Sequence, residues 1–157
     1  KVLLNQMPIA IKNSKIDISS EETTKELAKD LTHYLKGGEI VYLYGEMGVG
    51  KTTFVRYLIN QFQKNKKLHI TEVTSPTFNL LNEYDINDLV IKHYDLFRLK
   101  DESEIKNLDL FENNQNTITL IEWPQLISKN KSIKTIDLIF SYENELNNRS
   151  VKIDGLN

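Results

Sequence analysis

The stretch GEMGVGKTT, residues 45–53, decides how the middle of this chain folds. It matches the pattern G-x-x-x-x-G-K-[ST], in which a glycine-rich loop joins a strand to a helix and cradles phosphates with its backbone N–H groups. The apolar run EIVYLY, residues 39–44, precedes the loop and predicts a buried strand. FVRYLINQF, residues 54–62, follows it with the spacing of an amphipathic helix. The loop therefore has the strand and the helix that a phosphate-binding loop requires.

The residues of this loop have distinct predicted roles. The lysine, Lys51, is expected at the β- and γ-phosphates, and the hydroxyl of Thr52 is a predicted ligand of Mg²⁺. No Asn-Lys-x-Asp element for reading guanine is present, so ATP is the expected substrate. Mg²⁺ is the expected cofactor, because the phosphate loop supplies the Thr52 hydroxyl as a ligand. The loop residues predicted to contact the nucleotide are Gly45, Glu46, Met47, Gly48, Val49, Gly50, Lys51, Thr52 and Thr53.

Two acidic residues are candidates for catalysis beside the phosphates. Asp95 ends the run LVIKHYD, and Glu122 ends the run ITLIE. Both runs predict strands, and the carboxyl ends of such strands meet a phosphate loop at one edge of a sheet. We predict that Glu122 holds Mg²⁺ together with Thr52 and that Asp95 orients a water molecule, although the pattern leaves open which acid touches the metal directly. Lys51, Asp95 and Glu122 are the predicted catalytic residues.

Three further features admit a structural and a functional interpretation. The segment TSPTF, residues 74–78, is either an ordinary turn after a strand or a switch segment that faces the γ-phosphate with Ser75 and Thr77. Trp123, the only tryptophan, is either a core residue or a contact of the nucleotide or a partner. His93 lacks the spacing of a metal ligand, so we expect it to be an alternating strand residue.

The remaining elements predict one α/β domain spanning residues 1–157. Ser19 and Glu22 fit a capping box that begins a helix ending at Gly37 and Gly38. Strands are predicted at residues 69–73, in a hairpin around residues 85–88, and in a C-terminal antiparallel pair, TIDLIFSY and RSVKID. Residues 101–111 are expected to be helical. This order predicts a nucleotide-binding sheet of mixed strand direction.

Composition narrows the range of functions. The net charge of −2 gives no sign of broad binding to nucleic acid or membrane. The absence of cysteine excludes thiol nucleophiles, disulfides and cysteine-bound zinc. No apolar stretch is long enough to span a membrane, so a cytoplasmic location is expected. A small-molecule kinase usually brings several arginines to a mobile lid, whereas this chain has only Arg56, Arg98 and Arg149.

Four blocks of the sequence resemble one known family. GEMGVGKTTF, TSPTFNLLNEY, HYDLFRL and IEWP occur in the order and at the spacings of the TsaE family, also called YjeE, between residues 45 and 124. The resemblance implies a P-loop NTPase-like three-layer sandwich whose sheet has a parallel centre and antiparallel flanking strands. It also implies that Thr24 lies near the nucleotide base, that Thr77 belongs to the switch region and that Trp123 lies beside the site.

The resemblance implies a function as well. The family consists of small bacterial P-loop ATPases of tRNA threonylcarbamoyladenosine (t6A) formation, which act with the proteins TsaD and TsaB. Hydrolysis of ATP would reset that complex and donate no phosphate, while direct contact with tRNA stays open. The chain departs from the family pattern at Glu46 and Met47 in the loop, and at Lys106 and Asp109 in the segment that follows HYDLFRL. A nucleoside kinase and a nucleotide-dependent interaction module are the alternatives.

The positions of the three arginines lead to a further expectation. Arg149 falls in the predicted C-terminal hairpin, and Arg56 lies one turn into the helix after the loop. Only Arg98 is near a predicted catalytic residue in sequence. A positioned arginine accelerates phosphoryl transfer by about 10³–10⁵-fold. We therefore expect slow hydrolysis by the chain alone and acceleration by its partners.

Overall fold

The computed structural model describes residues 15–76, 78–112, 115–128, 133–145 and 147–156. They form a seven-stranded sheet, two α-helices and one 3₁₀ helix. The strands are β1 (Lys15–Asp17), β2 (Ile40–Tyr44), β3 (Leu81–Ile86), β4 (Leu89–Asp95), β5 (Thr117–Glu122), β6 (Thr135–Tyr142) and β7 (Arg149–Asp154). The helices are α1 (Glu21–Leu31), α2 (Lys51–Asn65) and the 3₁₀ helix Glu102–Leu108.

The order of the strands brings the predicted site together. The sheet runs β1-β7-β6-β2-β5-β4-β3. The four strands β6, β2, β5 and β4 are parallel, while β1, β7 and β3 pair with their neighbours antiparallel. In register, Glu122 lies beside Leu43 on one side and Asp95 on the other. The predicted mixed sheet with a parallel centre is thus confirmed, and the two acids are ladder neighbours next to the strand that enters the phosphate loop.

Both faces of the sheet are covered, which gives the three layers of the predicted sandwich. Helices α1 and α2 pack on one face, where Phe54, Leu58 and Leu120 belong to the larger buried core. A second core on the other face joins Tyr42, Tyr94 and partly buried residues of the 3₁₀ segment. All six residues of β5 are buried. A central strand with both faces covered has the continuous apolar run from which β5 was predicted.

The first helix begins and ends differently from the prediction. Its N-cap is Ser20, whose hydroxyl accepts a hydrogen bond from Glu22 N at 3.2 Å. The capping box assigned to Ser19 is therefore wrong, because the Ser19 hydroxyl accepts from Arg149 N at 2.9 Å instead. The helix ends at Leu31, and a turn carries the chain to the glycines.

Other local predictions also need correction. Residues 69–73 form no strand. Most of them are exposed, and the segment is held to α2 by side-chain hydrogen bonds, such as Gln63 Nε2 to Thr71 Oγ1 at 2.9 Å. The predicted helix at residues 101–111 is a 3₁₀ helix, capped by Asp101 and ended by the left-handed residue Asp109. The short strand β1 was not predicted. Within the described residues, no helix has the length and apolar character to cross a membrane.

Candidate nucleotide-binding site

The phosphate loop ends at an uncapped helix N-terminus. The N-cap of α2 is Gly50, which has φ 118° and no side chain to satisfy the first N–H groups. The first turn of α2 contains no acidic residue, so the positive end of the helix dipole is not offset locally. Gly45 is needed for its size, since a Cβ there would lie 2.8 Å from Val49 Cγ1 and 2.9 Å from the Phe140 carbonyl oxygen. The loop therefore presents backbone donors to an anion.

The lysine of the loop is buried at the same place. Lys51 is only 4% exposed, and its Nζ donates a hydrogen bond to the Gly45 carbonyl oxygen. The Nζ also lies 3.5 Å from the centre of the Trp123 ring, a cation–π contact. Burial lowers the pKa of Lys51, and the negative charges of Glu122 and Asp95 oppose that shift. Burial removes the water that would stabilise the ammonium charge, and a phosphate beside Lys51 would stabilise that charge instead.

Glu122 lies at the centre of the polar contacts. Its carboxylate is 3.1 and 3.2 Å from Thr52 Oγ1 through its two oxygens, and it is 2% exposed. The second oxygen is also 2.6 Å from Nε2 of His93, which is fully buried. In the part of the chain that the structure describes, Nδ1 of His93 has no hydrogen-bond partner. His93 was expected to be an ordinary strand residue. Its spacing of two from Asp95 was the available signal, because residues two apart on a strand share a face.

Asp95 is oriented by a separate pair of donors. Ser75 Oγ donates to one carboxylate oxygen at 2.8 Å, and Phe97 N donates to the other at 3.0 Å. Ser75 belongs to the predicted switch segment and does reach the acid cluster. Thr77 lies outside the described residues.

The donor set is suitable for Mg²⁺ together with phosphates. Among the described residues, no three His, Asp or Glu side chains form a group that could hold a metal by themselves. Magnesium at nucleotide sites takes one or two protein ligands and completes its octahedron with phosphate oxygens and water. The Thr52 hydroxyl and the Glu122 carboxylate, in contact with each other at the loop, fit that requirement.

These residues line a cleft of about 440 Å³ at the carboxyl edge of the sheet. An adjoining cavity of about 240 Å³ lies on the α1 side of the loop and contains Thr24, which was predicted near the base. The cleft is lined by Met47, Gly48, Gly50, Lys51, Thr52, Thr53, Ser75, Pro76, Asp95, Phe97, Arg98, Glu122, Trp123 and Arg149. Of the predicted loop contacts, Gly45, Glu46 and Val49 are not in this lining, and the Val49 side chain is buried in the core.

Aromatic and apolar side chains form the outer rim of the cleft. Trp123 has φ 58°, an uncommon backbone conformation for a tryptophan, and its ring lies 4.8 Å from the Phe97 ring between centroids. Phe97 and Met47 line the cleft but are more than half exposed. Phe78, at 84% exposed, packs under Arg98, whose guanidinium carbon is 5.0 Å from its ring centre.

The structure corrects the view of the arginines. Arg149 does lie in the predicted C-terminal hairpin, and only Arg98 was singled out as near a predicted catalytic residue, yet Arg149 lines both the cleft and the adjoining cavity. Its position follows from topology: β6 runs parallel to β2, so its end lies at the loop edge, and Arg149 pairs with Tyr142 at that end. Arg98 lines the cleft as well. Two of the three arginines are therefore at the site.

Comparisons with known proteins agree with this architecture. The family model described as "Threonylcarbamoyl adenosine biosynthesis protein TsaE" matches residues 18–151. Relatives named "tRNA threonylcarbamoyladenosine biosynthesis protein TsaE" include one from Rickettsia conorii, 44% identical over 110 residues, which are 70% of this chain and 61% of the relative. One from Rickettsia bellii is 44% identical over 73% of this chain and 77% of the relative. The chain thus matches less than two thirds of the length of the Rickettsia conorii relative.

A more distant relative and a solved structure extend the comparison. The relative of the same name from Bacillus subtilis is 38% identical over 69% of this chain and 65% of its own length. The crystal structure of Bacillus subtilis YdiB superimposes with a TM-score of 0.68 at 22% identity, covering 93% of this chain and 87% of that one. At that identity the structural likeness concerns the fold.

Proposed function

The chain belongs to the TsaE family of tRNA threonylcarbamoyladenosine biosynthesis proteins, and on that premise we propose that it binds ATP with Mg²⁺ and hydrolyses it. Its involvement in t6A biosynthesis follows from the family. The hydrolysis, the metal and the partners are the proposed part. The observation that carries the proposal is the contact between the half-buried Thr52 hydroxyl and the buried Glu122 carboxylate, which line the same cleft as the phosphate-loop lysine, Lys51.

Each group has a part in the proposed reaction. The uncapped N–H groups of α2 and the Lys51 ammonium bind the β- and γ-phosphates. Thr52 and Glu122 hold Mg²⁺, which neutralises charge that develops on the phosphate oxygens. Asp95, fixed by Ser75 and by the Phe97 N–H, accepts a hydrogen bond from the attacking water and orients it. Positioning and electrostatic stabilisation supply most of the rate in such reactions.

The proposed role of hydrolysis is to reset the TsaB–TsaD complex in the cytoplasm. Only water is needed as the acceptor of the phosphoryl group. The exposed rim of the cleft supports a covering partner, because Met47 and Phe97 of the lining present apolar surface, and Phe78 adds exposed surface beside Arg98. A protein that covers this rim would exclude water and strengthen the electrostatic interactions inside.

Steady-state ATPase measurements with and without TsaB–TsaD from the same organism test the proposal. We expect slow turnover by the chain alone, inorganic phosphate as the product, and acceleration by the complex. A phosphorylated small molecule as the product would favour a kinase instead. Full cellular function of a variant that binds ATP without hydrolysing it would favour an interaction module.

The same assay tests whether partners act by ordering Arg98. If the complex orders Arg98 over the phosphates, Arg98→Gln should lose most of the acceleration. Arg56→Gln is the matched control, because Arg56 pairs with Glu21 at 3.5 Å and does not line the cleft. Equal rates with and without partners would refute partner activation.

A further inference from the structure

We propose that Arg149 is a nucleotide-binding residue that contacts the phosphate nearest the nucleoside, the α-phosphate of ATP or ADP. This inference rests on the proposed function, since it assumes an adenine nucleotide in the cleft. The sequence alone placed Arg149 in the C-terminal hairpin and gave it no role in the chemistry. The structure places it at a junction that no other charged residue of the described chain occupies.

The junction lies between the two cavities of the site. The larger cleft holds Lys51, Thr52 and the acids, and the smaller cavity holds Thr24. Three residues line both: Gly50, Thr53 and Arg149. A nucleotide that places its terminal phosphates at Lys51 and its nucleoside in the smaller cavity must pass between them. Its α-phosphate is the group that lies at this point.

The backbone of Arg149 is firmly held there. Its N–H donates to the Ser19 hydroxyl at 2.9 Å, and its carbonyl oxygen accepts from Ile18 N at 2.9 Å. These bonds join the start of β7 to the segment that leads into α1. The side chain is therefore presented from a fixed point of the sheet, which reduces the entropy lost when it binds a ligand.

The guanidinium, by contrast, is poorly satisfied. Among the described residues, its buried Nε has no hydrogen-bond partner, and the one hydrogen bond of its side chain goes to the Ser19 carbonyl oxygen at 3.5 Å. Within the described ranges, no carboxylate forms an ion pair with it. A guanidinium has five donors and is always charged, so this arrangement lacks an anion.

The neighbouring helix end strengthens the argument. Arg149 Nη1 would lie 3.7 Å from a Cβ at Gly50, the N-cap of α2. A cation at this end of a helix faces the positive end of the dipole, where anions are favoured and cations are not. An anion between the guanidinium and the first N–H groups of α2 would satisfy both. A phosphate has the charge and the several acceptors that this place requires.

Arg56 provides a contrast within the same cavity. It lines the smaller cavity but not the cleft, pairs with Glu21 at 3.5 Å and lies 5.3 Å from the Tyr57 ring centre. Its charge already has a partner, unlike that of Arg149. The control for loss of a positive charge is Lys66→Gln, because Lys66 pairs with Asp88 at 3.8 Å and lines neither cavity.

Calorimetric titration with Mg·ADP and with Mg·ATP under non-hydrolysing conditions tests the assignment. Loss of a charge-assisted contact should weaken binding of both nucleotides by about 10- to 100-fold in Arg149→Gln, and by the same factor for each. Arg149→Lys should recover part of the affinity, and Lys66→Gln should bind within about threefold of the wild type. Thermal unfolding without nucleotide shows whether each variant is folded.

The outcomes separate this inference from the proposed function. If the wild type binds neither nucleotide, the proposed function fails. If the wild type binds both and a folded Arg149→Gln binds ADP equally well, the role of Arg149 is overturned. A loss for ATP alone would place the arginine at the γ-phosphate and also overturn it. Replacing an α-phosphate oxygen with sulfur in ADP should cost the wild type more than Arg149→Gln, and an equal cost would refute contact with the α-phosphate.

Discussion

Two substitutions of Glu122 should separate its role in hydrolysis from its role in stability. Glu122→Gln keeps the shape and removes the charge, whereas Glu122→Ala removes both. The carboxylate is 2% exposed and contacts Thr52 and His93. Both variants lose the negative ligand proposed for Mg²⁺, so each should hydrolyse ATP about 10²–10³-fold more slowly, the cost of about 2.7–4 kcal/mol seen when one stabilising group is removed.

Their effects on folding should differ. In Glu122→Ala the half-buried Thr52 hydroxyl and the fully buried His93 Nε2 lose their shared partner. A buried polar group left unsatisfied, here His93 Nε2, costs about 1–3 kcal/mol. A loss of about 2 kcal/mol lowers the melting temperature by roughly 4–8 °C in a chain of this size. Glu122→Gln can still bond to both neighbours and no longer buries a charge, so it should unfold within about 1 kcal/mol of the wild type or above it.

Steady-state phosphate release and thermal unfolding by circular dichroism measure the two effects on the same samples. A Glu122→Gln variant that hydrolyses ATP at the wild-type rate would refute the catalytic assignment. A Glu122→Gln variant that unfolds as early as Glu122→Ala would show that the carboxylate charge itself stabilises the fold, contrary to the reasoning above.

The other predictions concern the groups around Glu122. Lys51→Ala should abolish or greatly weaken ATP binding by calorimetry, because Lys51 is the cation expected at the β- and γ-phosphates; wild-type affinity would contradict the loop assignment. Asp95→Asn should lower kcat with little change in KM, while Asp85→Asn on the exposed side of β3 should change neither. Trp123 emission should change when ADP draws the Lys51 ammonium from its ring, and an unchanged emission at saturating ADP would contradict this.

Much of the centre of the fold was predictable because local and global signals agree there. The loop residues, the apolar run of β5 and the amphipathic face of α2 each require one environment, and the sheet provides it. The strand predicted at residues 69–73 was wrong because β-propensity does not report whether a free sheet edge is available. In the structure β3 occupies the sheet edge next to β4, and the segment bonds to α2 instead.

The site was predictable where its residues follow the loop or end a strand, and not where topology brings them back. Asp95 and Glu122 end parallel strands, so they meet at the carboxyl edge. Arg149 reaches that edge only because β7 pairs antiparallel with β6, which depends on the strand order. His93 was missed because a buried histidine and a solvated one have the same alternating pattern.

The two arginines that line the cleft, Arg149 and Arg98, are held in different ways, and the difference bears on how partners would act. The backbone of Arg149 is fixed by hydrogen bonds to Ile18 and Ser19 within the chain itself. The guanidinium of Arg98, by contrast, packs on the ring of Phe78, a side chain that is itself almost fully exposed. A covering protein would therefore change the position of the Arg98 side chain more than that of Arg149. Arg149 is the residue proposed to contact the α-phosphate, whereas Arg98 lines the cleft together with Asp95 and Glu122. On that proposal, partners should raise the rate of hydrolysis more than the affinity for nucleotide.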